Sequence, residues 1–130
     1  MKRIHVAVGV IINSQNQILI AKRHEHLHQG GKWEFPGGKV EEDETTSEAL
    51  IRELKEEVNL NTSETTPFME LSFDYPDKQV FLDIHKVTQF TGAVQGVEGQ
   101  EVKWVCREDL TDYQFPEANQ PILEKIIQQN

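Results

Sequence analysis

The stretch Gly37 to Leu60, GGKVEEDETTSEALIRELKEEVNL, decides the fold. Thr45 followed by Glu48 three residues later has the form of a capping box, in which each side chain satisfies the other's backbone amide. Asn59 follows Val58 where a helix would close on a left-handed residue, and asparagine is the usual substitute for glycine there. The spacing predicts a helix over 45–58. At about 100° per residue, Ser47, Leu50, Ile51, Leu54 and Val58 share one arc, which must face a core. Glu53, Glu56 and Glu57 fall on a second arc with the small Ala49 among them, while Glu48, Arg52 and Lys55 take the solvated side.

Carboxylates at i, i+3 and i+4 repel one another and raise one another's pKa. A bound cation removes both penalties. Hard oxygen ligands on a rigid helix suit Mg²⁺ or Mn²⁺, which keep waters and share the remaining positions with phosphate oxygens. By itself E-L-K-E-E reads sooner as an ordinary solvated helix face than as a metal site. The pair Gly37-Gly38 shifts the reading, because a glycine loop allows close approach of a ligand and can aim amides at an anion.

Outward from this segment, residues 4–12 alternate branched residues as a strand of a covered sheet does. The polar run 13–16 is a turn, and 17–21 reads as the return strand of a hairpin. A loop with three histidines leads to the short extended piece Trp33-Glu34-Phe35, stopped by Pro36-Gly37-Gly38. Residues 68–75 and 78–90 form a second hairpin about Pro76-Asp77, 92–100 is a glycine-containing loop, and 102–106 is a strand. A last helix starts near Pro121, with Ile122, Leu123, Ile126 and Ile127 on its apolar face. Strands with one central and one terminal helix predict an α/β or α+β layered fold, and 130 residues are expected to make one domain, 1–130.

The chain carries 22 acids against 13 Lys and Arg, a net charge of -9. That excludes a reader of a nucleic-acid backbone, which needs a basic face. It leaves room for a small phosphorylated ligand, since a bound metal reverses the local field. Eight acids and two bases fall in residues 41–57, whereas residues 1–40 hold six bases and two acids. The single Cys106 lies in an apolar strand and reads as a buried, inert thiol. No apolar run reaches the length of a membrane span, and a signal-peptide pattern is missing. A monomer acting in the cytoplasm, with no membrane partner, is the expectation.

Gly38, five residues, Glu44, seven residues, then Arg52-Glu53-Leu54-x-Glu56-Glu57-x-x-Leu60 resembles the Nudix box. The departure is Asn59, where the family usually has Gly. The resemblance implies an α/β/α sandwich around a mixed sheet and a Mg²⁺- or Mn²⁺-dependent hydrolase of nucleoside diphosphates linked to another group. It implies Glu53, Glu56 and Glu57 as metal ligands, with a carbonyl such as that of Gly37 beside them. Arg52 would orient a glutamate, and Glu44 would support the cluster. Trp33-Glu34-Phe35-Pro36-Gly37-Gly38-Lys39, the V-A-V-G-V-I strand and Phe115-Pro116-x-Ala118-Asn119 resemble the MutT branch of the family, which contains the 8-oxo-dGTP diphosphatases. Glu98 best matches the loop glutamate that completes the metal site or serves as base, with Glu101 its nearby competitor. The proton acceptor could equally be Lys39 or a metal-bound hydroxide.

Within that resemblance Asn119 would read the base, since an amide offers the donor and acceptor that suit O6 and the protonated N7 of 8-oxo-guanine. Its alternative is an N-cap for the last helix. Phe35 would line the base pocket or pack in the core. Arg23, His28 and Gly38 match positions near the substrate. The implied activity is hydrolysis of 8-oxo-dGTP to 8-oxo-dGMP and pyrophosphate, which cleanses the nucleotide pool. Competing readings are a Nudix hydrolase of another nucleotide, which differs at the base pocket, and a non-catalytic nucleotide-sensing module, against which the intact glutamates argue.

Overall fold

The computed structural model describes residues 3–25 and 30–128. It contains β1 (Ile4–Ile11), β2 (Gln17–Lys22), β3 (Trp33–Glu34), β4 (Gly37–Lys39), α1 (Thr46–Val58), β5 (Thr66–Tyr75), β6 (Lys78–Val87), β7 (Val102–Cys106) and α2 (Gln120–Gln128). Two 3₁₀ turns, Arg107–Asp112 and Glu117–Asn119, separate β7 from α2. A four-stranded mixed sheet has the order β4-β1-β6-β5, with β1 and β6 parallel. A three-stranded antiparallel sheet has the order β3-β2-β7.

The alternation in β1 and β2 explains why both faces are covered. Ala7, Ile11 and Leu19 join Leu50, Leu54 and Val58 of α1 in one core, while Val8, Val10, Ile18 and Ile20 join Ile122, Leu123 and Ile126 of α2 in the other. Side chains two apart share a face, so one strand feeds both helix layers. The result is the expected α/β/α sandwich.

β1 and β2 do not make the predicted hairpin. Only Ile12 and Ile18 bridge them beyond the turn that Asn13 and Gln17 close. β1 then pairs β4 and β6, and β2 pairs β3 and β7. Sequence adjacency favoured a hairpin; burial of both strands on both faces favours dividing them between two sheets. Gly37-Gly38 likewise is no loop but the start of β4, with Gly38 opposite Ala7.

Helix α1 is bounded as its sequence dictates. Thr45 accepts from the Glu48 amide at 3.1 Å and the Glu48 carboxylate accepts from the Thr45 amide at 2.9 Å, while Asn59 sits at φ 62°, ψ 33°. Ala49 is fully buried with the core arc, and not among the glutamates as the wheel placed it. Its start is pinned to the mixed sheet, because Thr46 donates to Asp83 of β6 at 2.5 Å and Ser47 accepts from Thr65, whose hydroxyl also meets the buried His85. Cys106 is half-buried rather than buried, and Ile127 of α2 is exposed, beyond the reach of the apolar arc.

Candidate active site

Helix α1 lies against β4, and this contact builds the acidic centre. The Gly37 amide donates to Glu57 Oε2 at 3.2 Å. Gly38 has no Cβ to spare, since one would collide with the Glu53 carboxyl group. Gly38 is therefore needed for close approach of the Glu53 carboxylate, while a Cβ on Gly37 would collide with the Ala7 carbonyl of β1. Glu53 and Glu57 are half-buried, whereas Glu56 stands in solvent and reaches Arg52 only at 3.4 Å.

Arg52 is not on a solvated face. Its Nε and Nη2 donate to both oxygens of Glu44 at 2.7 and 2.8 Å, Nη1 donates to Glu53 at 2.8 Å, and Nη2 also reaches the Lys39 carbonyl at 3.2 Å. This bidentate pairing holds Glu44 down at about 2 and keeps the guanidinium protonated. Glu53 receives one bond from the same cation, yet burial pushes its carboxyl up, assisted by the charges of Glu56 and Glu98. Glu57 is pushed up to about 9, first by burial and then by the charges of Glu34 and Glu53.

Glu34 was not singled out by the sequence. It sits in β3 next to the acidic centre, is itself pushed up by burial, and pairs with Arg23 at 2.6 Å. The only signal was an acid set between two aromatics in a strand. The Arg23–Glu34 pair, Gly37, Gly38 and Lys39 line a cavity of about 250 Å³ together with Phe35, Pro116, Ala118 and Asn119. Tyr75 and Lys78, from either side of the β5–β6 turn, complete the wall, and nothing local in the sequence marks them.

Phe35 is buried, stacks on Phe115 at 5.1 Å, and borders the cavity. Asn119 ends the second 3₁₀ turn, its amide donating to Pro116 at 2.9 Å. Among the described residues its side chain makes no bond that caps α2. The Tyr75 hydroxyl accepts from the neighbouring Ala118 amide at 3.1 Å. His28, expected near the substrate, and His26 of the histidine run lie outside the described residues.

Residues 93–101 fold over the C-terminal end of α1, where helix carbonyls lack intrahelical partners. Gln95 and Val97 amides donate to the Val58 and Glu57 carbonyls at 3.1 and 3.0 Å. The Asn59 side chain, present where the family has glycine, donates to the Ala93 carbonyl at 3.1 Å. Glu98 rides on this loop, exposed, and its charge raises Glu34, Glu53 and Glu57. Glu101 instead lies 3.9 Å from Lys103. Of the two loop acids, Glu98 is the one whose charge acts on these three carboxylates.

Among the described residues no three His, Cys, Asp or Glu side chains close into a ready-made metal cage. The donor set nonetheless fits a hard divalent ion: it offers carboxylate oxygens, two of them pushed up by burial and by neighbouring acids. Such an ion keeps waters and takes phosphate oxygens, so a full protein cage is not required.

The sandwich, the glutamates of α1 and the glycine strand beneath them define a class. A NUDIX domain model matches residues 7–125, and the chain belongs to the Nudix family. It is 38% identical to the 8-oxo-dGTP diphosphatase of Escherichia coli K12, over 97% of this chain and 98% of that protein. It is 36% identical to the CTP pyrophosphohydrolase of the same organism, over 98% and 93%. A structure from work on MutT of Aliivibrio salmonicida and Vibrio cholerae superimposes with a TM-score of 0.85 at 44% identity, covering 97% of this chain and 98% of that one. Nudix hydrolases of the MutT kind depend on a divalent metal. No helix among the described residues is long and apolar enough to cross a membrane.

Proposed function

We propose that the protein is a Mg²⁺-dependent pyrophosphohydrolase that converts 8-oxo-dGTP to 8-oxo-dGMP and pyrophosphate, working as one Nudix domain on the cytoplasmic nucleotide pool. The observation that carries this reading is one cavity whose wall combines the apolar Phe35, Pro116 and Ala118 and the side-chain amide of Asn119 with the charged Arg23, Glu34 and Lys39. A base and a phosphate chain thereby meet different chemistry in one groove. Similarity over nearly the whole chain to 8-oxo-dGTP diphosphatases supports the same substrate.

Glu53, Glu57 and Glu98, with Glu56 and the Gly37 carbonyl as outer partners, are the groups to hold Mg²⁺, Mn²⁺ being an alternative. Bound there, the ion would neutralise phosphoryl oxygens and acidify the attacking water. Arg52 orients Glu53 through its 2.8 Å bond, and Glu44 fixes Arg52. Arg23 and Lys39 offer cations to the phosphates at the cavity mouth. Water attacks the β-phosphorus, the bond from that phosphorus to the bridging oxygen breaks, and the monophosphate leaves with that oxygen.

Asn119 supplies specificity. Its carbonyl oxygen accepts from N7–H of 8-oxo-guanine while its amide donates to O6; an undamaged guanine presents an acceptor at N7 and leaves the carbonyl unpaired. A buried mismatch of this kind costs about 1–3 kcal/mol.

The CTP pyrophosphohydrolase relative favours a second reading, a pyrimidine triphosphate in the same cavity. Pyrophosphate release with Mg²⁺ from 8-oxo-dGTP, dGTP and CTP at sub-saturating concentration separates the readings. Preference for 8-oxo-dGTP is expected. Preference for CTP would establish the second reading, and no turnover of any nucleotide would leave a binding module.

A further inference from the structure

We infer that Gln100 is a positioning residue that sets Glu98 over the acidic centre. Its side chain makes two bonds at once. Oε1 accepts from the Glu98 amide at 2.9 Å, and Nε2 donates to the Glu57 carbonyl at 3.0 Å. One primary amide thus links the backbone of the loop acid Glu98 to the backbone of Glu57 at the end of α1. Glu98 itself is exposed, so packing does not hold it in place.

The surrounding loop is built for this brace. The Gly99 amide donates to the Gly96 carbonyl at 2.9 Å, which closes a tight turn around Val97 and Glu98, and Gly99 occupies φ 85°. A Cβ on Gly96 would collide with the Gln100 carbonyl, so the glycine lets the two arms of the loop approach. The Val97 amide reaches the same Glu57 carbonyl as Gln100 does. A carbonyl oxygen has two lone pairs, and this one accepts both bonds. An exposed acid at a loop tip otherwise samples many positions; pinning its own amide on one side and the helix end on the other restricts that freedom before any ligand arrives.

The inference rests on the reading of Glu98 as a member of the metal site. Its test uses the whole protein and the variants Gln100→Ala, Glu98→Ala and the double variant. Gln100→Ala is expected to speed hydrogen exchange of the Glu98 amide by about tenfold or more in the metal-free protein, while core amides of β1 and β6 keep their protection. It is expected to lower kcat about 10–100-fold, the scale of losing a group that orients a metal ligand, with KM little changed. In the Glu98→Ala background the same substitution should add almost nothing, because the two act as one unit. Unchanged exchange at the Glu98 amide, or an equal further loss of kcat in the Glu98→Ala background, would overturn the brace. An impaired Glu98→Ala beside a fully active Gln100→Ala overturns the brace alone. Full activity of Glu98→Ala overturns the reading of Glu98 and the brace with it.

Discussion

Glu44 and Glu57 belong to the same motif and carry the same group, yet their surroundings act in opposite directions. Glu44 meets the Arg52 guanidinium through two bonds and is held at about 2; Glu57, among the described residues, accepts only from the Gly37 amide, and burial and neighbouring acids push it up to about 9. One end of the motif is thus neutralised by a guanidinium of the chain, and at the other the carboxylate is buried against a backbone amide. The consequences for stability also have opposite signs. Glu44 contributes stability that is complete above the usual carboxylate range and lost as pH falls through about 2. Glu57 holds a proton in the fold that the unfolded chain releases, so stability falls as pH rises from about 4.5 toward about 9. Glu44 is thus part of the scaffold that holds Arg52, and Glu57 is a carboxylate proposed as a metal ligand.

The largest expected effect breaks the acidic side. Glu53→Gln, steady-state pyrophosphate release with 8-oxo-dGTP and Mg²⁺, should lose about 10³-fold or more in kcat, the scale of one preorganised electrostatic contact to the transition state, with circular dichroism unchanged. Retained turnover would remove Glu53 from the metal site. Next comes the neutralised side. Arg52→Lys cannot reproduce a bidentate bond to Glu44 together with a bond to Glu53, and should lower kcat about 10–100-fold while KM holds. A loss confined to thermal stability would make Arg52 structural only. Smaller again, Asn119→Ala should cut the preference for 8-oxo-dGTP over dGTP about 10–100-fold, from the 1–3 kcal/mol of a lost buried match. A uniform loss on both substrates would assign Asn119 to the turn and not to the base. The smallest effect lies outside the site: Thr45→Ala removes the capping box and should cost about 1 kcal/mol in denaturant unfolding, with kcat unchanged at 25 °C.

Local chemistry was legible where one segment contains all the partners. The cap at Thr45, the left-handed Asn59, the span of α1 and the strand 102–106 depend on residues a few positions apart, and all stand as read. What required the third dimension was not legible. Whether β1 pairs β2 depends on β6, which lies about seventy residues downstream and takes the edge that a hairpin would use. The helical wheel put Arg52 in solvent because Glu44 and the Lys39 carbonyl, which lie off the helix, do not appear on it. It grouped Glu56 with Glu53 and Glu57, but only the latter two meet β4. Glu34 escaped notice for a related reason: its place beside Glu57 is created by the pairing of β3 with β2. The glutamates were named correctly as a group; which of them are crowded together is a property of the packing.

Glu57 and its acidic neighbours are proposed to hold a divalent cation. The most direct test is thermal unfolding between pH 5 and 9, with and without Mg²⁺, for the unmodified protein and Glu57→Gln. Without metal, the Tm of the unmodified protein should fall steadily as pH rises, and Mg²⁺ should restore it most at the alkaline end. Glu57→Gln should show a flatter profile and a weaker response to Mg²⁺. A metal-free Tm that holds level or rises across this range, with no gain from Mg²⁺, would contradict the account.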